Sequence, residues 1–399
     1  MSLKKKKQTL NNSIFITLYT IIVLGVYLLF LPLIAIFSFK KKYRQSIPAR
    51  FFLWKNPPLP TNRIWFHACS FGETRALQPL IDKFSDEQIV LTTTTQTGFN
   101  EGKKRFKTVR YLPFEPLLWF WLKPQKALIV MEAELWFLLF YLAKKRGAKT
   151  VLINARISDR SYNRYLRFSW FYKKIFSYID LVYAQSETDK KRLEQLGAKS
   201  VEVSGNIKLA QSHKVTRVLD RPDGIVVTAA STHEGEEEGI LKAFLKWKKR
   251  NQNSKLIIVP RHPERFDKVV KLAQEFALKD KLSLSRWSKT QDLTADIVII
   301  DAMGELINIY AISDIVILGG AFVPVGGHNP VEVVPFKCRL ISGTEIFNQH
   351  AMFSQIEGTI FSSLDELESA LDRAIDASPV KVKQRVSIDV IVKGIQDVV

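Results

Sequence analysis

The ten residues IWFHACSFGE, Ile64 to Glu73, decide how the fold is read. Ile64-Trp65-Phe66-His67-Ala68 reads as a strand, HACSFGE leaves it as a loop, and a helix follows from about Thr74. Strand, short loop and helix in that order are the repeating unit of a parallel sheet with βαβ crossovers. The unit recurs outward from here. Gln88 to Thr93, Ala127 to Met131, Thr150 to Asn154, Leu181 to Gln185 and Val201 to Ser204 are further short apolar runs. A less regular stretch leads to about Gly224, and the pattern restarts at Ile225 to Ala229, Lys255 to Val259, Ile297 to Ile300, Ile315 to Leu318 and Arg339 to Ser342. The expectation is an α/β protein with two doubly wound, Rossmann-like domains. The 399 residues suit two domains of ordinary size. Ligands bind beyond the carboxyl ends of such strands, so loops on facing edges of two domains would make a cleft.

Charge divides the chain as sharply as pattern does. The net charge is +20, and residues 1–210 hold 35 Lys+Arg against 14 Asp+Glu, while residues 211–399 hold 24 against 25. The first half therefore meets something polyanionic, a nucleic acid or an anionic membrane surface. The N-terminus separates the two. Ile14 to Phe37 carries no charge over 24 residues, and as a helix it reaches roughly 36 Å, enough to cross the hydrocarbon core. Lys40-Lys41-Lys42-Tyr43-Arg44 follows where a signal peptide would have a cleavage site. Residues 1–40 are thus expected to be a membrane anchor, with Pro32 able to kink it into a re-entrant shape. The basic residues after it place the main body in the cytoplasm. Domains at 41–207 and 208–399 complete the expected organisation. Known nucleic-acid motifs are absent, so no nucleic-acid partner is expected. The two cysteines, Cys69 and Cys338, build no disulfide framework.

The unusual residue clusters fall at strand ends. Glu73 stands in the first turn of a helix, with Ser70 or Gly72 at its N-cap, and could serve there only as a dipole partner. It could equally take a proton from an attacking alcohol. Glu132 and Glu134 of MEAELW end a strand, where they could cap the helix from about Leu135. STHEGEE, Ser231 to Glu237, opens a helix whose free amides could hold a phosphate, and Arg261 of PRHPER suits a phosphate or carboxylate. In GGAFVPVGGHNPVE, Gly319 to Glu332, the glycines let backbone approach a ligand, and Asn329-Pro330 starts a helix. Glu332 could accept from ribose hydroxyls. Arg160, Arg164 and Arg167 have helical spacing in RSYNRYLRFSWFYKKIF, Arg160 to Phe176. That stretch, with Lys173 and Lys174, reads either as a long core helix with a solvated basic side or as a helix lying on anionic headgroups. No HExxH or Asp-x-Asp pattern marks a metal site.

Nine strings, those above among them, HACSFGE, TTTTQTG, MEAELW, QSETDKKRLEQLGA, SGNIK, STHEGEE, PRHPER, DAMGEL and GGAFVPVGGHNPVE, occur in the order seen in one family. From about Ile47 to Asn348 the chain resembles the 3-deoxy-D-manno-octulosonic acid (Kdo) transferases of lipid A glycosylation. The resemblance implies a membrane-anchored, inverting enzyme of the GT-B fold, working without cofactor or metal at the bacterial inner membrane. It would move Kdo from CMP-Kdo to a tetraacylated, phosphorylated lipid A precursor. By motif, Glu73 would be the catalytic base, and Glu132 and Lys208 would stabilise the transition state. Pro260, Arg261, Met303, Gly304, Glu305, Asn329, Pro330, Val331 and Glu332 would hold CMP, and Arg160, Arg164, Arg167, Lys173 and Lys174 would face the membrane and acceptor. Cys69, Ala302, Phe137 and Val333 depart from the family's usual residues. The alternative is another GT-B sugar-nucleotide enzyme, with a different donor or an epimerase activity.

Overall fold

The computed structural model describes residues 3–210, 215–383 and 386–397, with side chains from residue 12 onward. The chain forms two compact units, Met1–Gln211 with Arg385–Val399, and Ser212–Gln384.

The first unit opens with a long helix α1 (Leu3–Ser38) and a short helix α2 (Ser46–Phe51). Its seven strands are β1 (Ile64–His67), β2 (Ile89–Thr93), β3 (Val109–Tyr111), β4 (Ala127–Met131), β5 (Lys149–Ala155), β6 (Leu181–Ala184) and β7 (Val201–Val203). They pair in parallel in the order β3-β2-β1-β4-β5-β6-β7. Every residue of β1, β2 and β4 is buried. Helices cover both faces, so these strands read as unbroken apolar runs rather than alternating ones. The pleat still sorts the side chains. Trp65, Leu128 and Leu152 enter one core with Phe137 to Ala143, and Phe66, Ile129 and Ile153 enter the other. That second core is closed by Ile391, Val392 and Ile395 from the returning C-terminal helix.

The second unit repeats the plan with β8 (Ile225–Thr232), β9 (Ser254–Pro260), β10 (Leu284–Arg286), β11 (Ile297–Ile299), β12 (Ile315–Leu318) and β13 (Arg339–Ser342). A small antiparallel pair, β14 (Ile356–Glu357) with β16 (Lys381–Val382), flanks the last sheet strand, β15 (Thr359–Phe361). The order is β10-β11-β9-β8-β12-β13-β15. The two Rossmann-type sheets are the architecture expected of a GT-B enzyme. Strand order reverses between β1 and β4 in one unit and between β8 and β12 in the other. Those switch points are where ligands bind in open parallel sheets.

The structure corrects several sequence expectations. Strands β3, β10 and β15 were not anticipated. Each lies at a sheet edge, is three residues long and carries a polar residue, so no apolar run betrays it. The helix expected at Asn329-Pro330 is a single 3-10 turn, Pro330–Glu332, followed by another at Val334–Phe336. Pro335 lacks an amide donor and cannot bond back to Val331 O, which stops a longer helix. The basic aromatic stretch is not one long helix. It breaks at Phe168 into Asp159–Arg167, with no buried residue, and Ser169–Phe176.

Residues Asn12–Ser38 of α1 are long and apolar enough to cross a membrane. The helix also packs on its own unit. Ile16 joins the first core, Phe15 meets Phe137 edge-on at 5.2 Å and Tyr19 meets Phe171 at 5.7 Å. Tyr19 Oη donates to Glu115 Oε2 at 2.7 Å.

Candidate active site

Glu73 is positioned by its own turn. Helix α3 (Phe71–Ala76) begins three residues earlier than the sequence suggests, with Ser70 as N-cap. Ser70 Oγ accepts from Glu73 N at 3.4 Å and donates to Glu73 Oε1 at 2.8 Å, and Cys69 N donates to Glu73 Oε2 at 2.8 Å. This is a reciprocal cap of the S-x-x-E kind. It fixes the carboxylate at the carboxyl end of β1. Burial raises the pKa of Glu73 above the usual carboxylate value; the two hydrogen bonds oppose that, and Glu132 and Glu134 add to it. A carboxyl so placed accepts a proton more readily than one in water.

Glu132 follows the neighbouring strand β4, across the switch point. It sits in left-handed backbone, φ 59°, a strained conformation for a residue with a side chain. The turn aims its carboxylate at Lys208, whose Nζ lies 2.5 Å from Glu132 Oε1. Asn154 Nδ2 donates to the same oxygen at 3.3 Å, while Asn154 Oδ1 accepts from Ile207 N at 3.0 Å. Fully buried Asn154 thereby ties β5, Glu132 and the Lys208 turn together, and sequence reading missed it. Glu132 and Glu134 do not cap the following helix, which starts at Phe137 without a side-chain cap. Glu134 instead accepts from Trp136 Nε1 at 2.6 Å and lies 4.0 Å from His67 Nε2. His67 is fully buried, and burial pushes its pKa down to about 3, so this contact is no ion pair. Its Nδ1 lies 3.1 Å from Thr92 O, an obligate acceptor, which puts the proton on Nδ1. The Cys69 thiol is pushed up to about 11 by burial, which keeps it an uncharged neighbour rather than a nucleophile.

The second unit gathers its candidates at four adjacent strand ends. Pro260 closes β9, and exposed Arg261 follows, its amide bonded to Thr232 O at 3.0 Å. After β11, Met303 is exposed, Gly304 takes φ 91°, and Glu305 accepts from Asn308 Nδ2 at 2.8 Å. After β12, Asn329 Oδ1 accepts from Val331 N at 3.1 Å. Pro330 and Val331 are buried and Glu332 is half-buried.

The glycine loop is organised differently from the sequence expectation. Glu236, with no exposed surface, accepts from His233 N at 2.8 Å, Gly320 N at 2.9 Å and Phe322 N at 3.1 Å. Gly327 N donates to Gly320 O at 2.7 Å. The amides of His233, Gly320 and Gly327 are therefore spent inside the protein, not held open for a phosphate. Gly319 is required for this packing, since a Cβ there would stand 2.7 Å from Ser231 O and 2.8 Å from Glu236 Oε2. Among the described residues, the amides of His328 and Asn329 have no protein acceptor. His328 Nε2 lies 2.9 Å from His233 Nε2, joining the loop after β12 to the loop after β8. Burial lowers the pKa of His328 to about 4, with His233, Arg261 and His262 adding to the shift. One of the paired rings donates and the other accepts, so the accepting ring is neutral, and burial lowers the pKa of His233 as well.

Of the basic stretch, Arg160, Arg164, Arg167 and Lys173 are exposed. Lys174 is not free for headgroups. It donates to Asn12 Oδ1 and sits 5.3 Å above the Phe15 ring, clasping α1.

Comparison with known proteins decides the family. A 3-deoxy-D-manno-octulosonic acid transferase of Haemophilus influenzae is 34% identical over 387 residues, covering 90% of this chain and 89% of its own length. The chain belongs to the Kdo transferase family. The family model described as 3-deoxy-D-manno-octulosonic-acid transferase (kdotransferase) matches residues 45–211. Kdo transferases of Aquifex aeolicus (31% identity, 76% of this chain and 83% of that one) and Bordetella pertussis (29%, 81% and 84%) are also similar. Among solved structures, the C-terminal CMP-Kdo binding domain of WaaA from Acinetobacter baumannii is 26% identical over 44% of this chain and 89% of that one, with a TM-score of 0.35. In this Kdo transferase the capped glutamate and the Glu132–Lys208 pair both lie in the unit that carries the family match.

Proposed function

We propose that this transferase moves Kdo from CMP-Kdo to a phosphorylated lipid A precursor on the cytoplasmic side of the inner membrane, with inversion. The observation that carries the reading is the Glu73 cap, which holds a carboxylate of raised pKa at the switch point beside the Glu132–Lys208 pair. In this reading Glu73 takes the proton from an acceptor hydroxyl as that oxygen bonds to the anomeric carbon of Kdo. The bond from that carbon to the phosphate oxygen breaks, and CMP leaves with its electron pair. Lys208 offsets negative charge at the reacting sugar, and Glu132 keeps the ammonium in place. Arg261, with the amides of His328 and Asn329, supplies donors for the CMP phosphate. Met303, Gly304 and Glu305 line the nucleoside side, and Asn329, Pro330, Val331 and Glu332 shape the turn below it. No cofactor is invoked. Glu73, Glu132 and Glu134 each already have protein partners, so transfer is expected to persist in EDTA.

The test is mass spectrometry of the lipid product after incubation with CMP-Kdo and the tetraacyl precursor, for the parent and for Glu73→Gln. A mass increase by Kdo in the parent and its loss in the variant is the expected result. Release of a different nucleotide, from a different sugar nucleotide, would favour the alternative sugar-nucleotide enzyme.

A further inference from the structure

A cavity of about 460 Å³ opens between α2, the turn after it, and the edge strand β3. Its cations are Arg44, Lys55, Lys103 and Arg110, and no carboxylate lines it. Among the described residues none of the four has an ion-pair partner. The unit has other surface lysines that do pair, Lys104 with Glu101 and Lys107 with Glu87 among them. The segregation is therefore local. Four like charges around one hollow repel each other, and a fold tolerates that cost when an anion arrives to offset it.

The floor is built rather than loose. Phe99 and Tyr111 stack at 4.4 Å with 6° between their planes. Buried Asn56 ties Ala49 O and Tyr111 O at 3.0 and 2.8 Å, joining α2 to β3. Arg110 Nη1 is held by Val109 O at 2.9 Å, while its Nε is buried without any partner. A buried guanidinium nitrogen left unsatisfied is costly, so Arg110 keeps its position only because the surrounding fold holds it. Exposed Trp54 forms part of the rim.

The cavity also adjoins the Glu73 loop. Tyr111 Oη donates to Gln96 Oε1 at 2.9 Å, and Gln96 Nε2 reaches Gln45 Oε1 at 2.7 Å. Thr95, the cap of the same helix, donates through Oγ1 to Cys69 O at 2.8 Å. The wall of the hollow and the backbone that carries the capped glutamate are thus bonded through one helix end.

We infer that this cavity binds a phosphate monoester of the acceptor's headgroup, fixing the sugar relative to Glu73. The inference rests on the lipid-acceptor reading above. It adds a site distinct from the exposed arginines of Asp159–Arg167. Arginine forks suit phosphate oxygens, and aromatic floors suit a sugar ring.

The test uses the full chain in detergent, with Arg44→Gln, Lys55→Gln and Lys103→Gln combined. All three side chains are exposed, so folding is expected to survive; Arg110→Lys is the second variant, altering the fork but not the charge. Binding is read by calorimetry with a deacylated, bisphosphorylated glucosamine disaccharide, the same disaccharide without phosphate, and inorganic phosphate. The triple variant should weaken the phosphorylated headgroup at least about tenfold and leave the phosphate-free sugar unchanged. Inorganic phosphate should compete in the parent and not in the variant. In turnover, the acceptor KM should rise with little change in kcat or in the CMP-Kdo KM. Equal weakening with and without phosphate would overturn the inference. So would a loss confined to phosphatidylglycerol vesicles, which would make the hollow a membrane-surface patch. Because the calorimetry needs no turnover, a failure of the transfer reading itself would show separately, as absent product with binding intact.

Discussion

Glu73 shows how one residue can be both a helix cap and a base. Its two oxygens are occupied by Cys69 N and Ser70 Oγ, which orients the carboxylate without neutralising it. Glutamine can make both contacts, accepting from the amide and donating to the hydroxyl. Glu73→Gln should therefore keep its thermal midpoint within ~2 °C while losing about 10²–10⁴ in transfer rate. A Glu73→Ala variant keeps Ser70 as N-cap but should lose both side-chain contacts, about 1 kcal/mol of stability. The pH dependence follows from the raised pKa. The ionised form, the one that accepts a proton, fills only above the ordinary value of 4.5. The acid limb of kcat/KM should have its midpoint above 4.5 and vanish in the residual activity of Glu73→Gln. For stability the sign is opposite. Protonated Glu73 favours the folded chain below the unfolded value, and that contribution is lost as pH rises through the folded value. The permanently neutral glutamine keeps it, so at neutral pH the variant should be no less stable than the parent. Glu73 was legible because S-x-x-E is a local signal. His67, Asn154 and Glu236 were not. Their roles depend on partners 25, 53 and 84 residues away, such as Thr92, Ile207 and Gly320, which no local pattern records.

At the scale of elements, the central strands were legible and three of the four edge strands were not. A strand covered on both faces leaves an apolar run of its own length, and β4, β12 and β13 match the runs residue for residue. The edges β3, β10 and β15 and the 3-10 turns are set by pairing and by Pro335, so they leave little trace. The glycine loop was visible as freedom, but its use was misread. It is gathered onto Glu236, a buried carboxylate whose pKa is raised by burial against the pull of three amides. Glu236→Gln would set an amide group against donors that need an acceptor. Chemical denaturation should show a loss of about 1–3 kcal/mol, with a raised KM for the nucleotide donor. An unchanged midpoint and KM would mean the loop holds its shape without this clasp.

Across the whole chain, α1 is where the sequence is least informative. The apolar run identifies α1, yet not that one of its sides belongs to the first core. Glu115 is nearly buried, its pKa is raised by burial, and Tyr19 and the amide of Leu138 are its partners. Removing residues 1–39 would strip Ile16 from the core and leave Glu115 short of one donor. The truncated protein should consequently unfold earlier than the full chain in the same detergent, and Tyr19→Phe alone should cost about 1–3 kcal/mol. Matching midpoints for the truncated and full-length proteins would refute this. Residual membrane affinity of the truncated protein should come from Arg160, Arg164, Arg167 and Lys173, not from Lys174, and should fall with salt. Flotation with anionic and neutral liposomes, with those four changed to Ser, measures it; equal binding to both would discard that face.

The clasp of Lys174 on Asn12 and Phe15 has a consequence for engineering. A foreign spanning helix spliced in at residue 39 would be apolar and long enough to enter a bilayer, but it would bring none of the aromatic and hydroxyl groups that α1 lends to Phe137, Phe171 and Glu115. Such a chimera should reach the membrane at normal abundance and still be short-lived there, cleared by proteases. A swap that transplants only the outward-facing residues of α1 should last as long as the original. In this enzyme α1 is a keystone of its own unit.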